Sequence, residues 1–131
     1  MIFAFSDFFG IKTSFQAEAM ALLLGLQFYF NFKIYNLFIE CDSKVLVEMI
    51  NGRRSHPWKT NVLFKKLSRY KCIFQDASHC FRETNMVADR LTAEGQVNRE
   101  SKLYMSWAEL PSNVRPHVLY DSMRMCNFRW K

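Results

Sequence analysis

The chain has 131 residues, half of them hydrophobic and 16% aromatic, which is enough for one domain with a true core. Its formal net charge is +6, and its longest apolar run, Ala19 to Phe30, is interrupted by Gln27 and too short to cross a bilayer. Four cysteines without C-x-x-C spacing argue against a zinc site and a secreted disulfide scaffold. The opening residues carry no basic charge and meet Asp7 at once, unlike a secretory signal. We therefore expect a soluble, intracellular protein, in the nucleus or the cytoplasm, that has no membrane partner.

The first half of the chain predicts alternating strands and helices. The run from Ile2 to Ile11 suggests a strand or hairpin arm that turns at Gly10. The capping box Thr13-Ser-Phe-Gln16 predicts a helix to about Phe30, apolar on nearly every face and hence buried. From Ile34 to Asp42 the residues alternate as in a strand, with Asp42 at its carboxyl end.

The middle of the chain predicts two more helices. Ser43 can cap a helix that ends at Asn51-Gly52. A second helix is expected from Trp58 to about Tyr70. Its apolar side would hold Trp58, Val62, Leu63, Leu67 and Tyr70. On this spacing Trp58 is expected to pack in the core rather than to stack on a sugar or base.

The last predicted elements are a strand from Cys72 to Ala77 and a helix from Asn85 to Glu94, ended by Gly95. The order of elements predicts an α/β layered domain with a mixed, mainly parallel sheet flanked by helices. We expect this domain to cover residues 1–95. Residues 96–131 are expected to form a basic, aromatic tail that is extended and partly ordered.

Positive charge is concentrated in one short stretch. Arg53–Lys71 carries seven of the 18 lysines and arginines and no acid, whereas the rest of the chain is nearly balanced. Such a surface is typical of one that meets a polyanion, although a solvated helix face has the same composition. The candidate nucleic-acid contacts in it are Arg53, Arg54, Lys59, Lys65, Lys66 and Arg69.

Three acids lie in settings that need an explanation. Glu18 is inside an apolar helix, Asp42 closes a strand, and Asp89 lies in the early turns of the last predicted helix. Each has an ordinary explanation: Glu18 favoured by the helix macrodipole, Asp42 helping to cap the next helix, Asp89 paired with a neighbouring arginine. Sites in α/β sheets form where strands end, so the three could instead meet at one metal site.

Three blocks together resemble the type 1 ribonuclease H family, most closely its plant, retroelement-derived branch. They are Ala17-Glu18-Ala-Met-Ala21 with Gly25, then Glu40-Cys-Asp42-Ser43, then His79-x-x-Arg82-Glu83-x-Asn85-x-x-Ala88-Asp89-x-Leu91. The resemblance covers about residues 1–95. It implies that Glu18, Asp42 and Asp89 are metal-binding carboxylates, that His79 assists proton transfer or product release, and that Asn85 contacts substrate.

The resemblance also implies a chemistry, a cofactor and a partner. The chemistry is hydrolysis of the RNA strand of an RNA–DNA hybrid, the cofactor is a pair of Mg²⁺ ions, and the partner is that hybrid or another nucleic acid. The family's first strand carries a fourth carboxylate, and only 17 residues precede Glu18 here. We therefore expect an N-terminally truncated domain with weak or no nuclease activity. A non-catalytic nucleic-acid-binding module and a protein-interaction remnant, using an exposed sheet edge and the aromatic tail around Trp107, are the alternatives.

Overall fold

A computed structural model describes residues 3–10 and 13–122. Ile2, Ile11 and residues 123–131, on which parts of the first strand and of the tail were predicted, lie outside the described residues. The described residues divide into two compact units: residues 13–80 form one, which we call the central unit, and residues 3–10 with 81–122 form the other, the terminal unit. None of the described helices is long and apolar enough to cross a membrane.

The elements alternate between helix and strand, as the sequence predicted. In chain order they are β1 (Ala4–Ser6), α1 (Ser14–Asn31), β2 (Leu37–Cys41), α2 (Lys44–Ile50), α3 (Asn61–Ser68), β3 (Phe74–His79), α4 (Met86–Asn98), β4 (Lys102–Tyr104) and α5 (Arg115–Ser122). Short 3₁₀ turns cover Trp58–Thr60, Lys71–Ile73, Arg82–Thr84 and Trp107–Glu109. The mixed α/β class is therefore confirmed.

The central unit is built on a parallel pair of strands. β2 and β3 run side by side, with Ile39 opposite Ala77 and Cys41 opposite His79. Helix α1 packs against α3, and α2 packs on both strands. The buried core consists of Ala19, Leu23, Leu26, Ile39, Leu46, Val47, Ile50, Leu67, Ile73, Phe74 and Ala77. Because α1 buries only one stripe, Ala19, Leu23 and Leu26, the expectation of a helix buried on nearly every face is wrong.

Local hydrogen bonds fix where the helices of this unit begin and end. The Thr13 hydroxyl accepts the Gln16 N–H at 3.2 Å, and Gln16 Oε1 accepts the Thr13 N–H at 3.3 Å, so the predicted capping box forms. Ser43 caps α2 by accepting the Leu46 N–H at 3.3 Å. Gly52 has φ +75° after the C-cap, a conformation that suits glycine.

Asn51 has a role that its position after α2 did not reveal. Its side chain donates from Nδ2 to the Ala77 carbonyl at 2.8 Å and accepts the Ala77 N–H on Oδ1 at 3.0 Å. The amide thus pairs with β3 as a neighbouring strand would, and it fastens the end of α2 to the sheet. The signal in the sequence was a helix-ending asparagine, which turns and caps also favour.

The terminal unit pairs β1 with β4 in antiparallel fashion, with Ala4 opposite Tyr104. Its buried core consists of Leu91, Tyr104, Leu110 and Val114. The segment after Gly95 is therefore not simply extended: between Lys102 and Ser122 it forms a strand, a 3₁₀ turn and a helix. Arg115 ties this segment together by donating to the carbonyls of Leu110 at 3.0 Å and Ala108 at 2.8 Å. The division of the chain at residue 95 stays a prediction.

Several predicted boundaries are wrong. Among residues 3–10, the first strand covers only Ala4–Ser6, and the residues from Asp7 to Gly10 do not continue it. The predicted helix from Trp58 to Tyr70 is a 3₁₀ turn followed by α3. The strand predicted over Cys72–Ala77 starts two residues later and ends at His79, because Lys71–Ile73 forms a 3₁₀ turn.

Helix α4 continues through Gly95 to Asn98 and ends at Arg99, whose φ is +51°. The reason glycine is present lies in the packing: a Cβ at Gly95 would come within 2.6 Å of the Asp7 carbonyl oxygen. Gly95 therefore permits a close approach of α4 to the end of β1 rather than ending the helix.

Candidate nucleic-acid and metal site

Two parallel strands end together in the central unit and carry two of the predicted site residues with them. Asp42 follows β2 directly, and His79 is the last residue of β3. The carboxyl ends of the strands are joined by two hydrogen bonds: the Cys80 N–H donates to the Cys41 carbonyl at 3.0 Å, and His79 Nε2 lies 3.2 Å from the Asp42 carbonyl oxygen. The prediction that Asp42 closes the strand is confirmed.

The orientation of His79 follows from that contact. A carbonyl oxygen can only accept, so Nε2 carries the proton and donates it. In the neutral imidazole Nδ1 is then the basic nitrogen. His79 is exposed at the end of its strand, so the ring is accessible from solvent.

Glu18 acts electrostatically on Cys41, at the end of β2. The pKa of the half-buried Cys41 thiol is raised to about 11, first by burial and then by the negative charges of Glu18, Asp42 and Cys80, while a hydrogen bond from the Ser43 N–H acts in the opposite direction. Both carboxylates are therefore near enough to Cys41 to repel its thiolate. Glu18 lies in the second turn of α1, which has no acid in its first turn, so a stabilising macrodipole contact in the first turn is not its role.

Asp89 and Asn85 belong to the terminal unit. Asp89 lies in the first turn of α4, as predicted, and its backbone N–H donates to the Asn85 carbonyl at 3.1 Å. Asn85 stands at the N-cap of that helix, but its side chain makes no capping hydrogen bond. The assignment of Asp89 to the metal and of Asn85 to the substrate stays a prediction.

The donors in the central unit fit a hard divalent cation by their chemistry. Glu18 on α1 and Asp42 after β2 are both partly exposed, and carboxylates are oxygen ligands of the kind that Mg²⁺ prefers. Across the described part of the chain, however, no group of three or more histidine, cysteine, aspartate or glutamate side chains is arranged to hold a metal ion. Glu18 and Asp42 alone therefore do not make a complete ligand set, and their assignment to a metal stays a prediction.

Asp7, an acid upstream of Glu18, is used differently. Its side chain accepts the N–H of Phe8 at 2.7 Å and the hydroxyl of Ser101. These bonds join the end of β1 to the segment before β4, inside the terminal unit. Asp7 therefore has a structural role, and we assign it none in metal binding.

The six predicted cationic contacts are all exposed. Arg54 donates from Nε to a Glu48 carboxylate oxygen at 3.1 Å, which partly neutralises its charge. Lys65 and Lys66 lie in the last turn of α3, and Arg69 is its C-cap. The helix macrodipole favours these cations at the C-terminal end of α3, where they also lie on the surface.

Trp58 is the residue that sequence reasoning placed wrongly. It was expected in the core, yet it is 77% exposed, and Val62 is 68% exposed. The core side of this segment instead holds Thr60, Leu63, Phe64, Leu67 and Tyr70. Trp58 and Val62 are four residues apart and lie together on the exposed face, so the apolar pattern assigned both to the wrong side of the segment.

Comparison with known protein families gives one match. A family model described as reverse transcriptase-like matches residues 1–95. That range contains Glu18, Asp42, His79 and Asp89 and the whole basic stretch. A comparison with curated proteins returned no match.

Proposed function

Because the chain belongs to the reverse transcriptase-like family of ribonuclease H-like, nucleic-acid-binding domains, we propose that it binds RNA–DNA hybrids and hydrolyses their RNA strand weakly, with a divalent cation. One observation carries the proposal. Glu18 and Asp42 are 24 positions apart in the sequence, yet both raise the pKa of the Cys41 thiol beside His79. Two carboxylates that approach the same thiol are candidates for sharing a bound divalent cation.

The parts of the chain have separate tasks in this proposal. Glu18 and Asp42 would hold Mg²⁺, with Asp89 as the further predicted ligand. When bound, the ion polarises the phosphate and lowers the pKa of water. His79, fixed through Nε2 to the Asp42 carbonyl, has Nδ1 as the atom that takes or returns a proton.

The basic surface supplies affinity. Arg53, Lys59, Lys65, Lys66 and Arg69 contact phosphates, which positions the nucleic acid without reading its sequence. Hybrid recognition would come from backbone shape and the 2′-hydroxyl groups. The activity is expected to be weak because two neighbouring carboxylates hold and position metal ions less well than a complete ligand set.

The test is cleavage of an end-labelled RNA–DNA hybrid by the purified protein in Mg²⁺. We expect slow loss of the RNA strand, stopped by EDTA, and a decrease of at least about 100-fold in Asp42→Asn, because removing one charged ligand costs several kcal/mol of transition-state stabilisation. Asp76→Asn is the matched control, since Asp76 is an exposed aspartate on β3. Cleavage that is equally fast in Asp42→Asn and in the unmodified chain would contradict the proposal.

A second function is favoured by the incomplete ligand set. The chain would then bind nucleic acid through the same cations and catalyse nothing. In that case hybrid binding persists in EDTA while no RNA strand is lost at any Mg²⁺ concentration. Binding and cleavage measured on the same preparation therefore separate the two functions.

A further inference from the structure

An exposed tryptophan lies within the most basic segment of the chain. Trp58 is 77% exposed, and the seven lysines and arginines of Arg53–Lys71 surround it in the sequence without a single acid. The indole therefore presents a large aromatic surface to solvent, where a partner can contact it.

The turn that carries Trp58 is held firmly on both sides. The N–H and the hydroxyl of the buried Thr60 both donate to the Pro57 carbonyl, at 2.9 and 2.7 Å. The ring of His56 packs edge-on against Phe64, with 4.5 Å between centroids. The indole therefore projects from a fixed backbone, and little conformational entropy is lost when a partner binds it.

Positive charge lies next to the ring and continues along α3. Lys59 Nζ is 5.7 Å from the centroid of the Trp58 ring, over one face of it. Val62, Lys66 and Arg69 follow Trp58 at spacings of four, eight and eleven residues, on the side of the helix away from the core. From Val62 to Arg69 this stripe is about 10 Å long at a rise of about 1.5 Å per residue, which corresponds to roughly three nucleotides of a strand at about 3.4 Å each.

We propose that Trp58 stacks on an unpaired base of a single-stranded nucleic acid whose phosphates follow Lys59, Lys66 and Arg69. An aromatic platform bordered by cations is the combination that single strands bind without sequence preference. Bases inside a duplex offer only their edges, so the ring selects an unpaired segment. The inference rests on the proposed function. It adds a second contact, with a single-stranded nucleic acid, at a surface apart from the carboxyl ends of β2 and β3.

The experiment measures binding, in EDTA and at low salt, to three probes. They are a short oligodeoxythymidine strand, an abasic strand of the same length and charge, and an RNA–DNA hybrid. We expect Trp58→Ala to weaken oligodeoxythymidine binding about 5- to 100-fold, the range that loss of one base–aromatic stack produces. Binding of the abasic strand and of the hybrid should change by less than about twofold, and Trp58→Phe should keep most of the affinity because it retains a ring.

Trp107→Ala is the matched control, because Trp107 is also exposed, at 40%, and lies in the terminal unit. It should bind all three probes as the unmodified chain does. Circular dichroism of each variant checks that the fold is retained.

The outcomes separate this inference from the proposed function. If Trp58→Ala weakens the abasic and thymidine strands equally, or weakens neither, stacking is overturned while hybrid binding and cleavage stand. If the unmodified chain binds no nucleic acid at all, both are overturned. A loss confined to the strand that has bases supports stacking whether or not the chain cleaves hybrids.

Discussion

The pKa of the Cys41 thiol reflects the negative charges that lie near the end of β2. Its pKa is raised to about 11, first by burial and then by the carboxylates of Glu18 and Asp42 and by Cys80. The free thiol is thus kept protonated at neutral pH and is a poor nucleophile. Cys41 is therefore a marker of the candidate site rather than a participant in its chemistry.

This shift predicts a pH dependence of stability with a definite sign. Between about pH 9 and pH 11 the folded chain keeps the Cys41 proton whereas the unfolded chain loses it, so the free energy of unfolding should fall as pH rises through this window. Urea unfolding from pH 8 to pH 11 measures the effect. In Cys41→Ala the decline should be smaller, and Cys72→Ala, which removes an exposed thiol, should leave it unchanged. Equal declines in Cys41→Ala and the unmodified chain would show that Cys41 is not the source.

Two individual residues show that position in the sequence does not by itself reveal a residue's role. The sequence identified Asn51 as the end of a helix, and it is that, but its amide also completes the hydrogen bonding of Ala77. The sequence identified Trp58 as a core residue, and it lies on the surface. In both cases the role depends on residues distant in the sequence. Asn51 binds Ala77 in β3, and Trp58 does not pack into the core.

At the level of elements, α4 and β1 approach one another so closely that only glycine fits at the contact. Gly95 lies in the middle of α4, where alanine has the better helix propensity by about 1 kcal/mol. A methyl group there would lie 2.6 Å from the Asp7 carbonyl oxygen, a backbone atom that cannot move away alone. Helix propensity alone therefore predicts that Gly95→Ala raises the free energy of unfolding, whereas packing predicts that it lowers it.

We expect Gly95→Ala to lower the free energy of unfolding by about 1–3 kcal/mol, because the cost of overpacking exceeds the gain in propensity. Urea unfolding is the measurement. Ala93→Gly on the exposed side of α4 is the control for propensity alone and should cost about 1 kcal/mol. A gain in stability for Gly95→Ala would mean that the close approach to Asp7 does not exist.

Helix ends were predicted better than helix faces. Thr13, Ser43 and Gly52 act through neighbours three or four residues away, so their effect is visible in a short window. The faces of α1 and α3 depend on what packs against them. For α3 the apolar residues Trp58 and Val62 lie on the exposed face, so the apolar pattern misled.

At the level of the whole molecule, the distribution of charge matters more than its sum. A net charge of +6 would be unremarkable if it were spread evenly, but one segment carries seven cations and no acid. All of the candidate contacts in it are exposed, and within the described part of the chain Arg54 pairs with Glu48.

This distribution predicts a steep salt dependence. If the phosphates of a single strand contact Lys59, Lys66 and Arg69, the logarithm of the association constant should fall against the logarithm of salt concentration with a slope of about −2, at about −0.7 per phosphate. Lys66→Ala should make the slope less negative by about 0.7, whereas Lys102→Ala, in the terminal unit, should leave it unchanged. Fluorescence anisotropy between low and physiological salt provides the slopes. A slope near zero would rule out phosphate contacts as the source of affinity.

The α/β class, the capped starts of α1 and α2, the family and the location of the basic segment could all be predicted from the sequence, because each depends on neighbouring residues or on a pattern of motifs. The same pattern assigns Glu18, Asp42 and His79 to one site, and that assignment stays a prediction. Only the tertiary structure decided that Trp58 is exposed, that Asn51 binds β3 and that Gly95 allows α4 to approach β1. These features depend on contacts between residues far apart in the chain, which composition and periodicity do not specify.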